Sequence, residues 1–184
     1  MPAVTITRQS SLGGMEEVVF GDPDDVCLHH AYTSALLMQG DAASIARARF
    51  IQTQLKLEGA LSAEERRKLV GRERKLLRDH GKVWLGELSA WLCRGDYRFT
   101  MWRGWLRLVE APELDAAFLA ALARSPMVRL LKSLVIAHDQ PGGTAALAQL
   151  LDSPLADTLT EFQLGEIGEG EVPAVVIRRL AEAR

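Results

Sequence analysis

Apolar positions follow two different rhythms along this chain. Through the first half they recur every three or four residues, the spacing of a helix face. In the second half they also alternate, the spacing of a strand. Residues 1–21 are mixed and Gly-containing; "VTI" and "EEVVF" read either as short strands or as part of a loose arm. "GDPDD" reads as a helix start, with Asp22 as cap, Pro23 at the first helical position, and Asp24 and Asp25 at the positive end of the dipole. That helix should run to about Met38 and end at Gly40. A second is expected over 42–58, with Ala48, Ile51 and Leu55 on one stripe, Phe50 and Leu57 widening it, and Gly59 stopping it. Ser62 and Glu65 form a capping box that opens a third. Its apolar pairs are Leu69-Val70, Leu76-Leu77 and Val83-Trp84; Gly81 is expected to break the run, leaving His80 at a helix end and a separate short helix over 82–93.

After Asp96 the texture changes. "RFTMWRGWLRLVEA" reads as one strand with Leu106 and Leu108 inward. "ELDAAFLAALARSP" is a helix with Leu114, Phe118, Leu119 and Leu122 on its apolar face. "LLKSLVIA" and "LTEFQLG" are further strands, "GGTAALAQLLDSP" and "VPAVVIRRLAEAR" further helices. This alternation has a period. Ser125-Pro126 and Ser153-Pro154 stand 28 residues apart, and the same shift carries Leu119 onto Leu147 and Leu122 onto Leu150. It also carries Leu131, Leu134 and Ile136 onto Leu159, Phe162 and Leu164, and one unit back sets Leu134 and Ile136 on Leu106 and Leu108.

The spacing L-x-x-L-x-L with a helix in each unit resembles the leucine-rich repeat, in its long ribonuclease-inhibitor class. The usual asparagine after the last leucine is missing; His138-Asp139 and Glu166 stand near its place, so the turn is expected to be irregular. The first half carries a second resemblance. "DPDD" (22–25), "LHHAYTSALLMQGD" (28–41), "ARARFIQTQLKLEGA" (46–60), "RERKLLRDHGKVWLG" (72–86) and "WRGWLRLV" (102–109) occur in this order. Together they resemble the bacterial repeat-companion domain, over about residues 20–135. Ser34 and Ala35 stand where that family commonly has Asp-Trp. The resemblance implies no catalytic residues. It implies a helical cap leading into leucine-rich units. The expected fold class is therefore α/β: an N-terminal helical cap over 1–100, then a short βα leucine-rich-repeat-like solenoid over 101–184 with a small parallel sheet.

Composition narrows the function classes. The 184 residues are 48% hydrophobic and 25% charged, with a formal net charge of −2, so nothing pulls the whole molecule toward nucleic acid. No apolar run reaches a membrane span, and "MPAVTITRQSSLGG" lacks the plan of a secretory signal. Cys27 and Cys93 are too few for a disulfide framework, so a cytoplasmic protein with free thiols is expected. Cys27, His29 and His30 are close in sequence but point apart on a helix, and no second pair at zinc spacing follows; no metal, cofactor or enzymatic activity is expected. Asp22, Asp24 and Asp25 lack the other ligands of a calcium loop.

Function is expected at a surface. With Leu106 and Leu108 inward, strand parity turns Trp105, Arg107 and Val109 outward, followed by Ser133, Val135 and Ala137, then Glu161, Gln163 and Gly165. His138 lies past a strand end as a further binding residue. Trp105, Arg107, Ser133, Val135, His138, Glu161 and Gln163 are the candidate partner-binding residues of an adaptor-like protein–protein interaction module. The chain ends at "RRLAEAR" without an evident polar capping unit, so an open C-terminal edge is expected to seek a partner or a second copy. The alternative is a nucleic-acid-binding regulator using the basic helix over 62–78, with Arg66, Arg67, Lys68, Arg72, Arg74, Lys75 and Arg78.

Overall fold

The computed structural model describes residues 12–138 apart from Leu114, and of the remainder 148, 152–153, 155–156 and 158–164. The fold is mixed α/β. Three helices, α1 (Leu12–Gly21), α2 (Val26–Gln39) and α3 (Ala42–Leu57), precede the long α4 (Ala63–Leu85). A 3₁₀ turn over Gly86–Leu88 and the short α5 (Ser89–Leu92) lead into β1 (Arg98–Trp102) and β2 (Trp105–Glu113). Then come α6 (Ala116–Arg124), β3 (Ser133–His138) and β4 (Glu161–Leu164), which complete an open sheet of order β1-β2-β3-β4.

Helix termini follow local chemistry. Asp25 caps α2 by accepting from the Cys27 amide, Asp41 caps α3, and Ser62 and Glu65 form the reciprocal box that opens α4. Gly40 closes α2 at φ +77°. Three expectations need correction. "EEVVF" lies in helix α1, not a strand, because Val19 is buried against α2 and α3. Asp22-Pro23 do not start α2; they form the turn before it, and the cap falls to Asp25. Gly81 does not break α4: the helix continues through it to Leu85, and His80 sits mid-helix with its ring stacked on Trp84. "VTI" and the last helix lie outside the described residues, as does "GGTAALAQLLDSP" apart from residues 148, 152 and 153.

The largest departure concerns "RFTMWRGWLRLV". It is a hairpin, not one strand: β1 and β2 pair antiparallel around Arg103-Gly104. Arg103 at φ 48° and Gly104 at φ 92° both occupy the left-handed region, the mark of a primed two-residue turn. The sheet is therefore mixed, with β2, β3 and β4 parallel. Gly104 is required twice, since a Cβ there would lie 2.5 Å from Ile51 Cγ1. Arg103 tolerates its backbone because its side chain is held at every nitrogen. Nε and Nη2 donate to the two Glu58 carboxylate oxygens at 2.9 and 2.7 Å, and Nη1 donates to the Pro23 and Asp24 carbonyls. Gln54 seals the same junction. Its amide donates to the Met101 carbonyl and to Glu73, and its carbonyl accepts from the Gly104 amide, each at 2.8 Å. The hairpin tip is thus plugged into the helical unit.

A bulge then decides which side chains face the core. Thr100 pairs with Leu108 but Met101 with Leu106, so Arg107 is the extra residue. Parity flips across it. Leu106, Val109 and Ala111 all point into the main core, with Leu134 and Ile136 of β3 and Phe118, Leu119 and Leu122 of α6. Phe50, Trp84, Leu85 and Leu88 close that core from the helical side. Val109 is therefore inward, not outward, and Leu108 stands on the opposite face.

The Ser-Pro stretches repeat in detail. Ser125 Oγ accepts from the Met127 amide and Ser153 Oγ from the Leu155 amide, both at 3.3 Å. Ser125 is also the residue that ends α6. Lys132 donates its amide to the Arg107 carbonyl, and Thr160 donates its amide to the Lys132 carbonyl, both at 2.9 Å. Between β3 and β4 the register is Leu134 to Phe162 and Ile136 to Leu164, the expected 28-residue shift. Between β2 and β3 it is Val109 to Leu134 and Ala111 to Ile136, a shift of 25, so Leu106 and Leu108 are not their counterparts.

Substituting Gly104→Ala should destabilise the fold by about 3 kcal/mol, from steric conflict and positive φ together. Gly71→Ala should stabilise it by about 1 kcal/mol, because Gly71 is helical and exposed with nothing within 4 Å of the added methyl. Denaturant titration of both variants checks the pair.

Candidate functional site

The sheet face opposite the core carries two rows of side chains set by register. One runs Thr100, Leu108, Ser133, Glu161; the other runs Arg98, Glu110, Val135, Gln163. Arg98, Thr100, Glu161 and Gln163 are exposed, and Leu108, Glu110 and Val135 are half-buried. Ala137 follows on β3 and is exposed. Arg98 lies 4.0 Å from Glu110, and the Gln163 amide donates to Glu161 at 2.7 Å. Ser133 Oγ is buried without a hydrogen-bond partner among the described residues. The face thus presents an exposed acid and amide on β4, apolar side chains on β2 and β3, and a cation on β1.

The expected binding residues divide. Ser133, Val135, Glu161 and Gln163 lie together on this face. Trp105 does not: it is 1% exposed, enclosed by Phe20, His29 and Tyr32 at ring distances of 5.3–5.7 Å, with the Arg47 guanidinium over its ring. The helical unit covers the start of β2, so outward parity there means burial. Arg107 occupies the bulge, half-buried, with its guanidinium 4.7 Å from the Trp102 ring centre. His138 pairs with Glu113 through the backbone at the end of β3; its side chain and Gly165 lie outside the described residues, as does any edge beyond β4. Sequence parity missed Arg98, Thr100, Leu108 and Glu110. The two residues Arg103-Gly104 inside an alternating run were the available signal for the hairpin that puts them there.

The other candidates resolve locally. Cys27 and His30 are exposed while His29 is buried, so the three do not converge. His29 Nε2 donates to the Pro23 carbonyl at 2.8 Å, a carbonyl that also accepts from Arg103. Its ring meets Trp102 and Trp105 edge-on, and Nδ1 is buried without a partner. Burial foremost, and the nearby Arg103 charge, hold this imidazole below its ordinary pKa, against the opposing pull of the Pro23 bond, Glu58 and Asp25. Glu58 is held below the carboxylate range chiefly by its hydrogen bonds from Arg103.

The basic helix is largely engaged with its own surroundings. Lys68 pairs with Glu64, Lys75 and Arg78 with Asp79, and Arg66 donates to the Leu57 and Gly59 carbonyls. Arg67, Arg72 and Arg74 make no ion pair among the described residues. No described helix is long and apolar enough to cross a membrane. Among known proteins, no family model, no curated protein and no solved structure matches the chain.

The His29 and Glu58 shifts act with one sign. Each group has a folded pKa below its unfolded value, so its contribution is present above that value and is lost as pH falls through the folded one. Melting temperature should therefore fall as pH drops below 6.5 through His29, and further below 4.5 through Glu58. In scans from about pH 8 to about pH 5, His29→Gln should show a flatter profile than the parent.

Proposed function

We propose that this chain is a non-enzymatic interaction module that docks another protein on the outward face of its sheet. In this reading the helices are a cap of the repeat-companion kind and the βα units are leucine-rich-repeat-like. The observation that supports it is the register. A 28-residue shift from β3 to β4 sets like positions side by side, so Ser133 and Val135 continue into Glu161 and Gln163 on the face away from the core. A ladder of mixed charge with half-buried apolar residues is what a protein partner can cover, the apolar centre supplying affinity and the charges register. The two cysteines are free and exposed, which fits a reducing cytoplasmic setting. Nucleic-acid binding through α4 is the weaker reading, because much of the basic charge there is already paired.

The test is a paired set of surface variants of the full chain. Val135→Arg with Gln163→Arg should cut retention of the co-purifying native partner by about 10-fold or more. Stability should stay within about 0.5 kcal/mol of the parent. Arg67→Glu with Arg72→Glu should leave retention unchanged. Unchanged retention in the first variant contradicts the proposal. So does salt-dependent retention on nucleic acid that disappears in the second.

A further inference from the structure

A second surface lies away from the sheet face, between α4 and the edge strand β1. It is a groove of about 380 Å³ with an apolar floor of Leu77, Gly81, Leu85 and Phe99. Arg74, Arg78 and Lys82 stand along its rim at four-residue spacing on α4. We propose that this groove docks an acidic amphipathic polypeptide segment of a partner.

The observation that points to an occupant is charge. Arg78 shares Asp79 with Lys75, but Arg74 and Lys82 make no ion pair among the described residues. Uncompensated cations flank an apolar floor, which selects a ligand with apolar anchors and flanking carboxylates. A nucleic acid would satisfy the cations but leave the apolar floor unfilled. Gly81 shapes the floor: α4 runs unbroken through it, although a glycine inside a helix is unfavourable relative to alanine. Gly81 is buried, and an added Cβ would lie 3.1 Å from Leu77 Cδ1 of the same helix, so a larger side chain there must displace Leu77 or enter the groove.

Cys93 lines the groove and is exposed, whereas Cys27 is exposed on α2, so the two thiols form a built-in probe and control. The experiment pans a random linear peptide library against the full chain, then measures alkylation of both thiols with the best peptide present. Enriched peptides should combine Asp and Glu with Leu, Phe or Met, should slow alkylation of Cys93 and not of Cys27, and should weaken with added salt. Gly81→Leu should weaken their binding by about 10-fold or more. Arg74→Glu with Lys82→Glu should weaken it comparably without unfolding, which keeps the test valid if Gly81→Leu folds poorly. The proposal is overturned if no peptide is enriched, if enriched peptides lack acidic residues, if both variants bind them equally well, or if duplex DNA rather than peptide protects Cys93. These outcomes leave the sheet-face variants unaffected, so the two surfaces are judged separately.

Discussion

The Arg103 guanidinium joins parts of the chain that sequence distance keeps far apart. It grips Glu58 at the end of α3 and the carbonyls of Pro23 and Asp24 between α1 and α2, from the tip of a hairpin in the sheet. Its side chain is 8% exposed, so these bonds form with little competition from water. The Trp102 ring lies 4.3 Å beneath the guanidinium carbon and adds a cation–π contact. An Arg at positive φ is otherwise unfavourable; here the surrounding contacts over-determine it. Lysine could not replace it, having no planar fork to meet a carboxylate and two carbonyls together.

From that anchor the rest of the sheet is placed. With the tip fixed, Trp105 enters the helical unit and Leu106 enters the main core, and the bulge at Arg107 turns the strand so that Val109 and Ala111 face inward as well. Core packing with Leu134 and Phe162 then sets the parallel register of β3 and β4. The outward face follows from this chain of constraints rather than from its own side chains. Across that face Arg98 stands beside Glu110, and Gln163 donates to Glu161.

The helical part was largely legible in the sequence because its signals are local. Capping chemistry at Ser62 with Glu65, the αL position at Gly40 and the stripe of Ala48, Ile51 and Leu55 each act within a few residues. The β3–β4 register was legible from the 28-residue recurrence of apolar positions. What escaped was non-local. Gly81 reads as a breaker, but tertiary packing of Trp84 and Leu85 carries the helix through it. Arg103-Gly104 lacks the Asn-Gly pattern of a primed turn, because its positive φ is stabilised by Glu58, 45 residues away. Missing the bulge inverted the parity of Val109, and Trp105 is buried because the helical unit covers the start of β2. The four residues expected on β3 and β4 within the sheet face were correctly grouped because no bulge intervenes between those strands.

The central claim is that Arg103 makes the N-terminal helices and the sheet one cooperative unit, and amide hydrogen exchange tests it most directly. Comparing the parent with Arg103→Lys, the account predicts that amides in α2 and α3 and amides in β2 and β3 lose protection together and by the same factor. Loss confined to the helices, with the β2–β3 ladder exchanging as in the parent, would contradict it.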